Sequence, residues 1–178
     1  FIFSGNRGFH GFYKLVKYKN LSLVFGNKGK IKYKKVFSLH LGRGKMFYTN
    51  SDGGARGNPG KGAIGILVRE DSKILETYAG KIGNKVTNNM AEYCALIQAL
   101  ELASKYTTEE ITCVLDSELL VKQLLGEYRV KNEKLRPLFI EVQKMQERFK
   151  KIKYVHVSRW NKYQKKVDRM LNKELDKK

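Results

Sequence analysis

The order of patterned segments after residue 46 restricts most strongly what this chain can fold into. Three segments with strand-type residues follow one another over short links, which predicts an antiparallel meander; they are residues 47–51, 63–69 and 73–81. Helical and strand-type segments alternate from there on, with helices at 88–106, 117–128, 132–149 and 165–176 and strands at 111–115 and 152–157. The sequence therefore predicts an α/β fold in which helices flank a mixed five-stranded sheet, three antiparallel strands followed by parallel ones.

A glycine-rich stretch, NSDGGARGNPGKGAIGIL at residues 50–67, raises the question of a phosphate-binding loop. A Walker-type loop would need glycine at position 55 and serine or threonine at position 62, where the chain has Ala55 and Gly62. A dinucleotide-binding loop would need a helix where residues 63–68 have the pattern of a strand. The stretch is therefore interpreted as a strand end and a hairpin that leave Asp52 accessible.

Four acidic residues fall where the predicted fold would bring them together. Asp52 and Asp116 each follow the last apolar residues of a strand, and the ends of parallel neighbours lie about 4.8 Å apart. Glu92 is placed in the first turn of its helix, where the dipole favours a carboxylate, and Asp168 flanks the inward stripe of the last helix. Carboxylates about 4 Å apart repel by about 4 kcal/mol at an effective dielectric near 20, so the pocket must hold a proton or a cation. Four such groups fit two Mg²⁺ ions, which prefer oxygen ligands.

Each acid also has a purely structural interpretation. Asp52 before a glycine is common turn chemistry. Asn89 and Glu92 have the spacing of a helix capping box, and Asp116 before a helix fits an N-cap. Asp168 on its own fits an ordinary surface acid. Taken one at a time, the four residues leave both interpretations open.

The formal net charge of +19 favours a polyanionic partner, because phosphates neutralised by lysine or arginine release counterions. Residues 1–45 contain nine lysines, two arginines and no acid, whereas residues 46–178 contain 25 basic and 17 acidic residues. The two cysteines, Cys94 and Cys113, lie in apolar segments and are expected to be buried free thiols in a reducing compartment. No apolar run approaches the roughly 20 residues that span a bilayer, so we expect a soluble, cytoplasmic protein with no membrane partner.

The first 45 residues lack a starting methionine and show no sustained helical or strand period. Their lysines and aromatic residues fit an arm that binds nucleic acid. A targeting peptide fits poorly, because transit peptides favour arginine and serine and because no apolar core segment is present. The preferred interpretation is an unstructured extension or translated upstream sequence, with Met46 as the true start and a catalytic domain at residues 46–178.

Four segments, in the same order and at similar spacing, resemble the signature segments of type 1 ribonuclease H. They are DGGARGNPG (52–60), TNNMAEYCAL (87–96), LDSELLVKQLLGEYRVKN (115–132) and HVSRW with KKVDRMLN (156–172). The resemblance covers residues 47–176 and is strongest to the compact bacterial and archaeal forms. It implies a ribonuclease H-like fold and an endonuclease that cuts the RNA strand of RNA–DNA hybrids with Mg²⁺, or Mn²⁺, and leaves 5′-phosphate and 3′-hydroxyl ends. We expect a monomer.

The same resemblance assigns roles to the acids. Asp52 would bridge two metal ions, Glu92 and Asp116 would complete the second ion's ligands, and Asp168 would bind the first. One ion would orient and activate the attacking water, and the other would stabilise the leaving 3′ oxygen.

Substrate contacts also follow from the resemblance. Bare backbone at three glycines would approach the shallow minor groove of the hybrid, where the 2′-hydroxyls distinguish RNA from DNA. The implied contacts are Gly53, Gly54, Gly57, Asn58, Arg56, Asn88, Asn89 and Ser117. Three basic residues, Lys122, Arg129 and Lys131, are candidates for backbone phosphates, and a solvated helix face explains them equally well.

The segment before Asp168 departs from the family pattern. Many relatives carry a histidine or glutamate there, thought to help water or product leave the first metal, whereas residues 158–167 contain neither and carry three lysines, Lys162, Lys165 and Lys166. We therefore expect slower turnover. His156 is not a substitute, because strand alternation predicts a packed or sheet-edge histidine there.

Two other functions remain to be weighed. One is a catalytically weak module that binds hybrids and has lost the first metal. The acids at all four positions favour the enzyme, because a protein that only binds a polyanion would gain affinity by losing them. A sibling of the same fold, such as a transposase or the ribonuclease domain of a reverse transcriptase, is less favoured because such domains normally belong to longer chains.

Overall fold

The computed structural model of the chain describes residues 15–18, 21–24 and 44–177. The chain divides into two units, Phe1–Arg43 and Gly44–Lys178. In the first unit, strand β1 (Leu15–Tyr18) pairs antiparallel with strand β2 (Leu21–Val24). The rest of the interpretation of residues 1–45 lies outside the described residues, and a domain start at residue 46 stays a prediction.

The second unit has the strands and helices in the predicted order. Its strands are β3 (Phe47–Gly57), β4 (Gly60–Glu70), β5 (Lys73–Val86), β6 (Glu110–Leu115) and β7 (Lys151–His156). Its helices are α1 (Asn88–Ala103), α2 (Glu118–Leu124), α3 (Arg136–Gln146) and α4 (Lys162–Asp176). The sheet order is β5-β4-β3-β6-β7; the first three strands pair antiparallel, and β6 runs parallel to both β3 and β7. The predicted mixed five-stranded α/β sheet is confirmed.

Strand β3 is longer than predicted and continues through Asp52. It pairs with β6 only as far as Asn50, but it pairs with β4 along its whole length to Gly57. The sequence predicted an end at residue 51 because the following glycines have low strand propensity, and the pairing with β4 overrides that propensity. Asp52 therefore leaves the parallel pairing without leaving the strand.

Helix α4 begins earlier than predicted, at Lys162 rather than Lys165. The Asn161 side chain accepts hydrogen bonds from the second and third backbone N–H groups of the helix, at 3.0 and 3.4 Å, and so caps it. The connection from β7 to α4 is residues 157–161. The three lysines that were expected on a loop up to residue 167 lie instead on the first turns of α4.

Different helices cover the two faces of the sheet. Side chains alternate along β4, so Ile64 lies in the main core with α1 and α3, whereas Ala63 packs against Leu171 of α4. A Cβ atom on Gly65 would lie 2.4 Å from the carbonyl oxygen of Val167. Glycine at this position lets α4 lie directly on the backbone of β4, which brings α4 within reach of β3 and its acid.

Three further expectations concern single side chains and the membrane. Both thiols are free, but only Cys113 is buried; Cys94 is half-buried, which corrects the expectation for that residue. His156 is exposed at the end of β7, so it is a sheet-edge histidine and not a packed one. None of the helices in the described residues is long and apolar enough to cross a membrane.

Candidate active site

Four carboxylates from four separate elements line one cleft. Asp52 lies on β3, Glu92 on α1, Asp116 directly after β6 and Asp168 on α4. The cleft has a volume of about 770 Å³. The fold thus brings together acids that are up to 116 positions apart in the chain.

The parallel pairing of β3 with β6 places Asp52 beside Asp116. The last paired residues are Asn50 and Val114, and each acid lies two residues further along its chain. Residues two apart on a strand share a face, so Asp52 lies on the same face as Asn50. That face is covered by α4, because Asn50 Nδ2 donates a hydrogen bond to Gln164 Oε1 (3.3 Å). The carboxyl end of β6 therefore meets β3 at the point where their parallel pairing ends, under α4. Ligands bind at such strand ends in α/β sheets.

The caps and turns are formed by other residues than the acids. Helix α1 is capped by Thr87, whose Oγ1 accepts a hydrogen bond from a first-turn backbone N–H (3.3 Å). Glu92 is the fifth residue of that helix, so its expected position in the first turn is wrong and its capping-box interpretation fails. Helix α2 is capped by Ser117 and not by Asp116. Asp52 lies within a strand and not in a turn, so three of the four structural interpretations are excluded.

Three of the carboxylates accept a hydrogen bond from a neighbouring polar side chain. The donor–acceptor pairs are Ser117 Oγ with Glu92 Oε2 (2.6 Å), Gln164 Nε2 with Asp116 Oδ1 (3.0 Å) and Asn172 Nδ2 with Asp168 Oδ1 (2.9 Å). Ser117 Oγ also accepts the backbone N–H of Leu120 (3.3 Å). The residue that starts α2 therefore also holds Glu92 in place.

Burial and mutual repulsion make the acids harder to ionise. Burial, followed by the charges of the other three acids, raises the pKa of Asp52 from 3.8 to about 7. Burial also raises the pKa of Glu92, although the hydrogen bond from Ser117 opposes this effect. The pKa of Asp116 is raised by burial as well, against the hydrogen bonds from its own backbone and from Gln164. The cluster therefore needs protons or a cation to compensate its charge.

Basic and aromatic side chains also line the wall of the cleft. The basic residues that line it are Arg56, Arg159, Lys165 and Arg169. Arg159 lies close enough to Asp116 for its positive charge to oppose the rise in the pKa of that carboxyl, which burial causes. Trp160, the single tryptophan of the chain, is 74% exposed on the same wall, with Lys165 Nζ 4.6 Å from its ring centroid. This wall suits the phosphates and sugars of a nucleic acid strand.

Comparison with known proteins agrees with this geometry. The family described as reverse transcriptase-like matches residues 50–163, which are more than half of the chain and include Asp52, Glu92 and Asp116. The chain belongs to this family. Its predicted relationship to ribonuclease H is confirmed by relatives of that name, while the compact bacterial or archaeal form stays a prediction.

Relatives of this chain include a protein named ribonuclease HI. Bifunctional protein Rv2228c of Mycobacterium tuberculosis is 37% identical over 129 residues, which are 71% of this chain and 34% of that protein. Ribonuclease HI of Halobacterium salinarum is 36% identical over 135 residues, which are 75% of this chain and 66% of that enzyme. The chain thus spans about a third of the length of the mycobacterial relatives.

Solved structures of ribonuclease H share the fold. RNase H1 from Halobacterium salinarum superimposes with a TM-score of 0.68 at 31% identity, over 74% of this chain and 98% of that one. LC11-RNase H1, solved in complex with an RNA/DNA hybrid, gives a TM-score of 0.67 at 33% identity, over 74% of this chain and 97% of that one. The expected ribonuclease H-like fold is confirmed.

Several predicted substrate contacts of this reverse transcriptase-like domain lie at the cleft. Gly53, Gly54, Arg56 and Asn88 line it. Asn88 also braces the β3–β4 hairpin, because its Oδ1 accepts the backbone N–H of Ala55 (2.9 Å) and its own N–H donates to Asn58 Oδ1 (3.1 Å). The next helical residue, Asn89, is half-buried, and Ser117 reaches the site through Glu92.

The three basic candidates for phosphate contacts lie apart from the residues that line the cleft. Lys122 is half-buried, forms an ion pair with Glu118 (2.7 Å) and lies 5.0 Å from the ring centroid of Tyr128. Arg129 and Lys131 are exposed after α2. Contact with a longer substrate stays a prediction for these residues.

Two of the glycines in the glycine-rich stretch at residues 50–67 have structural reasons to be glycine. A Cβ atom on Gly53 would lie 2.1 Å from the carbonyl carbon of Ala91, so its absence lets α1 pack against β3. Gly57 has a φ of +92° where the β3–β4 hairpin turns, a conformation that favours glycine. Gly54 is different, since its Cβ would be at an ordinary distance of 3.5 Å from Leu171. Packing and turn geometry therefore explain Gly53 and Gly57 better than backbone exposure.

Reasoning from sequence gave no site role to six residues: Arg159, Trp160, Gln164, Lys165, Arg169 and Asn172. The first two lie in the HVSRW segment, which resembles the family but was not assigned a role. Gln164 and Asn172 lie four residues before and after Asp168, a spacing that places them on one face of α4. That spacing is the signal that could have found them.

The donor set suits hard divalent cations, because it consists of carboxylate oxygens. Within residues 44–177, no three His, Cys, Asp or Glu side chains form a ready group of metal ligands. Mg²⁺ is usually held by one or two carboxylates together with water and substrate phosphates, so such an open arrangement fits this ion.

Proposed function

We propose that this domain is an endoribonuclease that hydrolyses the RNA strand of RNA–DNA hybrids and depends on Mg²⁺, with Mn²⁺ as an alternative. The observation that carries the proposal is the convergence of four carboxylates on a cleft that four basic side chains also line. The ribonuclease HI relative and the hybrid complex of LC11-RNase H1 support the reaction and the substrate. Cytoplasmic location and a monomeric state belong to the same proposal.

Two ions fit the four acids by the roles that the family resemblance implies. Asp52 would contact both ions, Asp168 would hold the first, and Glu92 with Asp116 would hold the second. When bound, the two ions would supply positive charge to the attacking and leaving oxygens of an in-line displacement, and the products would carry 5′-phosphate and 3′-hydroxyl ends. The raised pKa of Asp52, which burial causes first and the charges of the other acids second, supports this assignment, because a bound cation would compensate the charge of the carboxylate.

The chain's own residues would bind and orient the substrate. Arg56, Arg159, Lys165 and Arg169 give the cleft wall the charge that phosphate oxygens require. Asn88, at the junction of the hairpin and α1, lies where a polar side chain can meet a 2′-hydroxyl in the shallow groove of a hybrid. Selection of the RNA strand would depend on such contacts, since DNA lacks this hydroxyl.

A cleavage assay with an end-labelled RNA strand tests the proposal. The label is followed in an RNA–DNA hybrid, in double-stranded RNA and in single-stranded RNA, each with Mg²⁺, with Mn²⁺ and with EDTA. We expect cleavage of the hybrid alone, only with a divalent ion, and products with 5′-phosphate ends. Asp116→Asn should abolish cleavage, whereas the matched surface variant Glu101→Gln, on an exposed part of α1, should cleave like the wild type.

The alternative of a catalytically weak binding module has its own signature in this experiment. It predicts hybrid binding in a filter assay without cleavage under any metal condition. Cleavage that persists in the Asp116→Asn variant would also contradict the proposed chemistry, because it would show that a different group or a contaminating nuclease performs the reaction.

A further inference from the structure

Gln164 is a fully buried polar side chain at the base of the carboxylate cleft. It is 0% exposed, although glutamine is rarely buried to this extent. Its side-chain amide has every hydrogen-bonding group occupied: Oε1 accepts from Asn50 Nδ2 (3.3 Å), and Nε2 donates to the carbonyl oxygen of Ser51 (2.9 Å) and to Asp116 Oδ1 (3.0 Å). One amide therefore connects β3, the end of β6 and α4.

The neighbours of Gln164 fix which end of its amide faces the carboxylate. Asn50 presents an N–H donor, and the carbonyl group of Ser51 presents an acceptor. With the amide turned over, Oε1 would face the carbonyl oxygen of Ser51 and the carboxylate of Asp116, and both contacts would be repulsive. The observed orientation is thus the only one of the two that satisfies all three partners.

We propose that Gln164 is a positioning residue that orients Asp116 for metal binding. Its N–H binds Oδ1 of the carboxylate, and Asp116 lines the cleft. The other oxygen, Oδ2, would then be the one that binds a metal ion. Residues that hydrogen-bond a metal-binding carboxylate from behind orient it in this way in other metal sites. The inference rests on the proposed function, since it concerns the same four acids.

The phase of α4 gives this role a structural basis. Gln164 and Asp168 are four residues apart, so they lie on one face of the helix, one turn from each other. The adjacent stripe of Val167 and Leu171 is buried against the sheet and fixes the rotation of the helix. A single rigid helix therefore supplies one carboxylate, Asp168, and the group that orients a second one, Asp116.

A purely structural role would make different predictions from a positioning role. If Gln164 only filled a buried polar site, its replacement would lower stability and leave the affinity of the folded protein for Mg²⁺ unchanged. If it positions Asp116, its replacement would weaken Mg²⁺ binding even where the protein stays folded.

The test compares Gln164→Met with the control Gln123→Met in the full chain. Methionine matches glutamine in length but cannot hold the carboxylate. Gln123 is also a buried helical glutamine, and it accepts a hydrogen bond from the hydroxyl of Tyr93 (2.8 Å). Among the described residues, it forms no hydrogen bond with any of the four acids. The readout is the dissociation constant for Mg²⁺, taken from the rise of the unfolding temperature over a Mg²⁺ titration without substrate.

We expect Gln164→Met to weaken Mg²⁺ binding by about tenfold, and Gln123→Met to lower the unfolding temperature without changing the Mg²⁺ constant. Equal Mg²⁺ affinity of Gln164→Met and the wild type overturns the inference while leaving the proposed function intact. Failure of the wild type both to bind Mg²⁺ and to cleave hybrid overturns the proposed function and the inference with it.

A second variant covers the case in which Gln164→Met does not fold. Asn50→Ala keeps both N–H groups of Gln164 but removes the partner that anchors Oε1, so the amide is held less firmly. The buried oxygen left without a donor should lower stability by about 1–3 kcal/mol. We expect a several-fold weaker Mg²⁺ affinity in this folded variant. An unchanged constant would overturn the positioning role.

Discussion

Replacing Asp52 by asparagine should stabilise the metal-free protein while abolishing cleavage. Asp52 is half-buried on β3 among three other acids, and burial and their charges raise its pKa from 3.8 to about 7. The folded state therefore binds a proton at Asp52 more tightly than the unfolded state does. In the pH window between about 4 and 7 the stability falls as pH rises, and above pH 7 the full cost of the ionised carboxylate is present.

The size of this cost follows from the shift. One pKa unit corresponds to about 1.4 kcal/mol, so a shift of about three units corresponds to at most about 4 kcal/mol. Water in the open cleft screens part of the repulsion, so we expect about 2–4 kcal/mol. Asparagine removes the charge at nearly the same volume. For a domain of this size, the unfolding temperature of Asp52→Asn at pH 8 in EDTA should rise by roughly 6–12 °C.

The assay is urea or thermal unfolding of wild type, Asp52→Asn and the exposed-acid control Glu133→Gln, at pH 5 and pH 8 in EDTA. The wild type should be less stable at pH 8 than at pH 5, the control should follow the wild type, and Asp52→Asn should lose most of the difference. Added Mg²⁺ should stabilise the wild type more than the variant. An Asp52→Asn protein that is no more stable than the wild type at pH 8 would refute the electrostatic argument, because the acids would then not repel one another.

Three other predictions follow from single contacts. Gly53→Ala places a Cβ atom 2.1 Å from the Ala91 backbone and should lower the free energy of unfolding by about 3 kcal/mol in chemical unfolding. Gly54→Ala, whose Cβ would have its nearest atom at 3.5 Å, should lower it by less than about 1 kcal/mol, and equal losses would contradict the packing role of Gly53. Asp176→Ala removes the ion pair that occupies Arg56 (2.9 Å), so hybrid binding in a filter assay should tighten about two- to threefold more than in the charge-matched control Glu133→Ala. Ser117→Ala removes both the cap of α2 and the donor to Glu92, so it should lower stability by about 1 kcal/mol and also slow cleavage. Thr87→Ala removes only the cap of α1 and should lower stability alone. A Ser117→Ala enzyme with an unchanged cleavage rate would show that Ser117 only caps the helix.

The sequence was sufficient to predict the sheet because strands and helices have local patterns, whereas the four acids were identified only together, from the predicted topology and the family resemblance. A continuous apolar run defines the strand at 63–69, and the topology of the sheet places an acid such as Asp116 that directly follows a strand. The strand that contains Asp52 was predicted too short, because its glycines favour strand structure only through pairing with β4. Tertiary pairing of this kind leaves little local signal.

Competing local signals explain the other differences. Threonine and asparagine are both favourable N-cap residues, so Thr87 and Asn89 both fit the start of α1. The helix is capped by Thr87, which places Glu92 beyond its first turn. Asn161 caps α4 three residues before the predicted start, which changed a lysine-rich loop into helix. A glutamine in a helix is usually a surface residue, so the sequence gives no signal that Gln164 is buried and hydrogen-bonded to Asp116.

Two glycines of the sheet, Gly53 on β3 and Gly65 on β4, set how closely two helices that carry site acids pack on it. Gly53 admits the backbone of α1 on one face, and Gly65 admits the backbone of α4 on the other. Larger residues would push both helices outward, and with them Glu92 and Asp168. The repulsion among the acids favours such an outward movement, so the apolar burial of α1 and α4 must exceed it for the site to persist without metal.

We therefore expect substitutions at Gly65, such as Gly65→Ala, to weaken Mg²⁺ binding as well as stability, because the helix that carries Asp168 would move away from Asp52. A Gly65→Ala protein that is destabilised but binds Mg²⁺ with the wild-type constant would show that α4 can shift without moving the carboxylates apart, and would contradict this link between packing and site geometry.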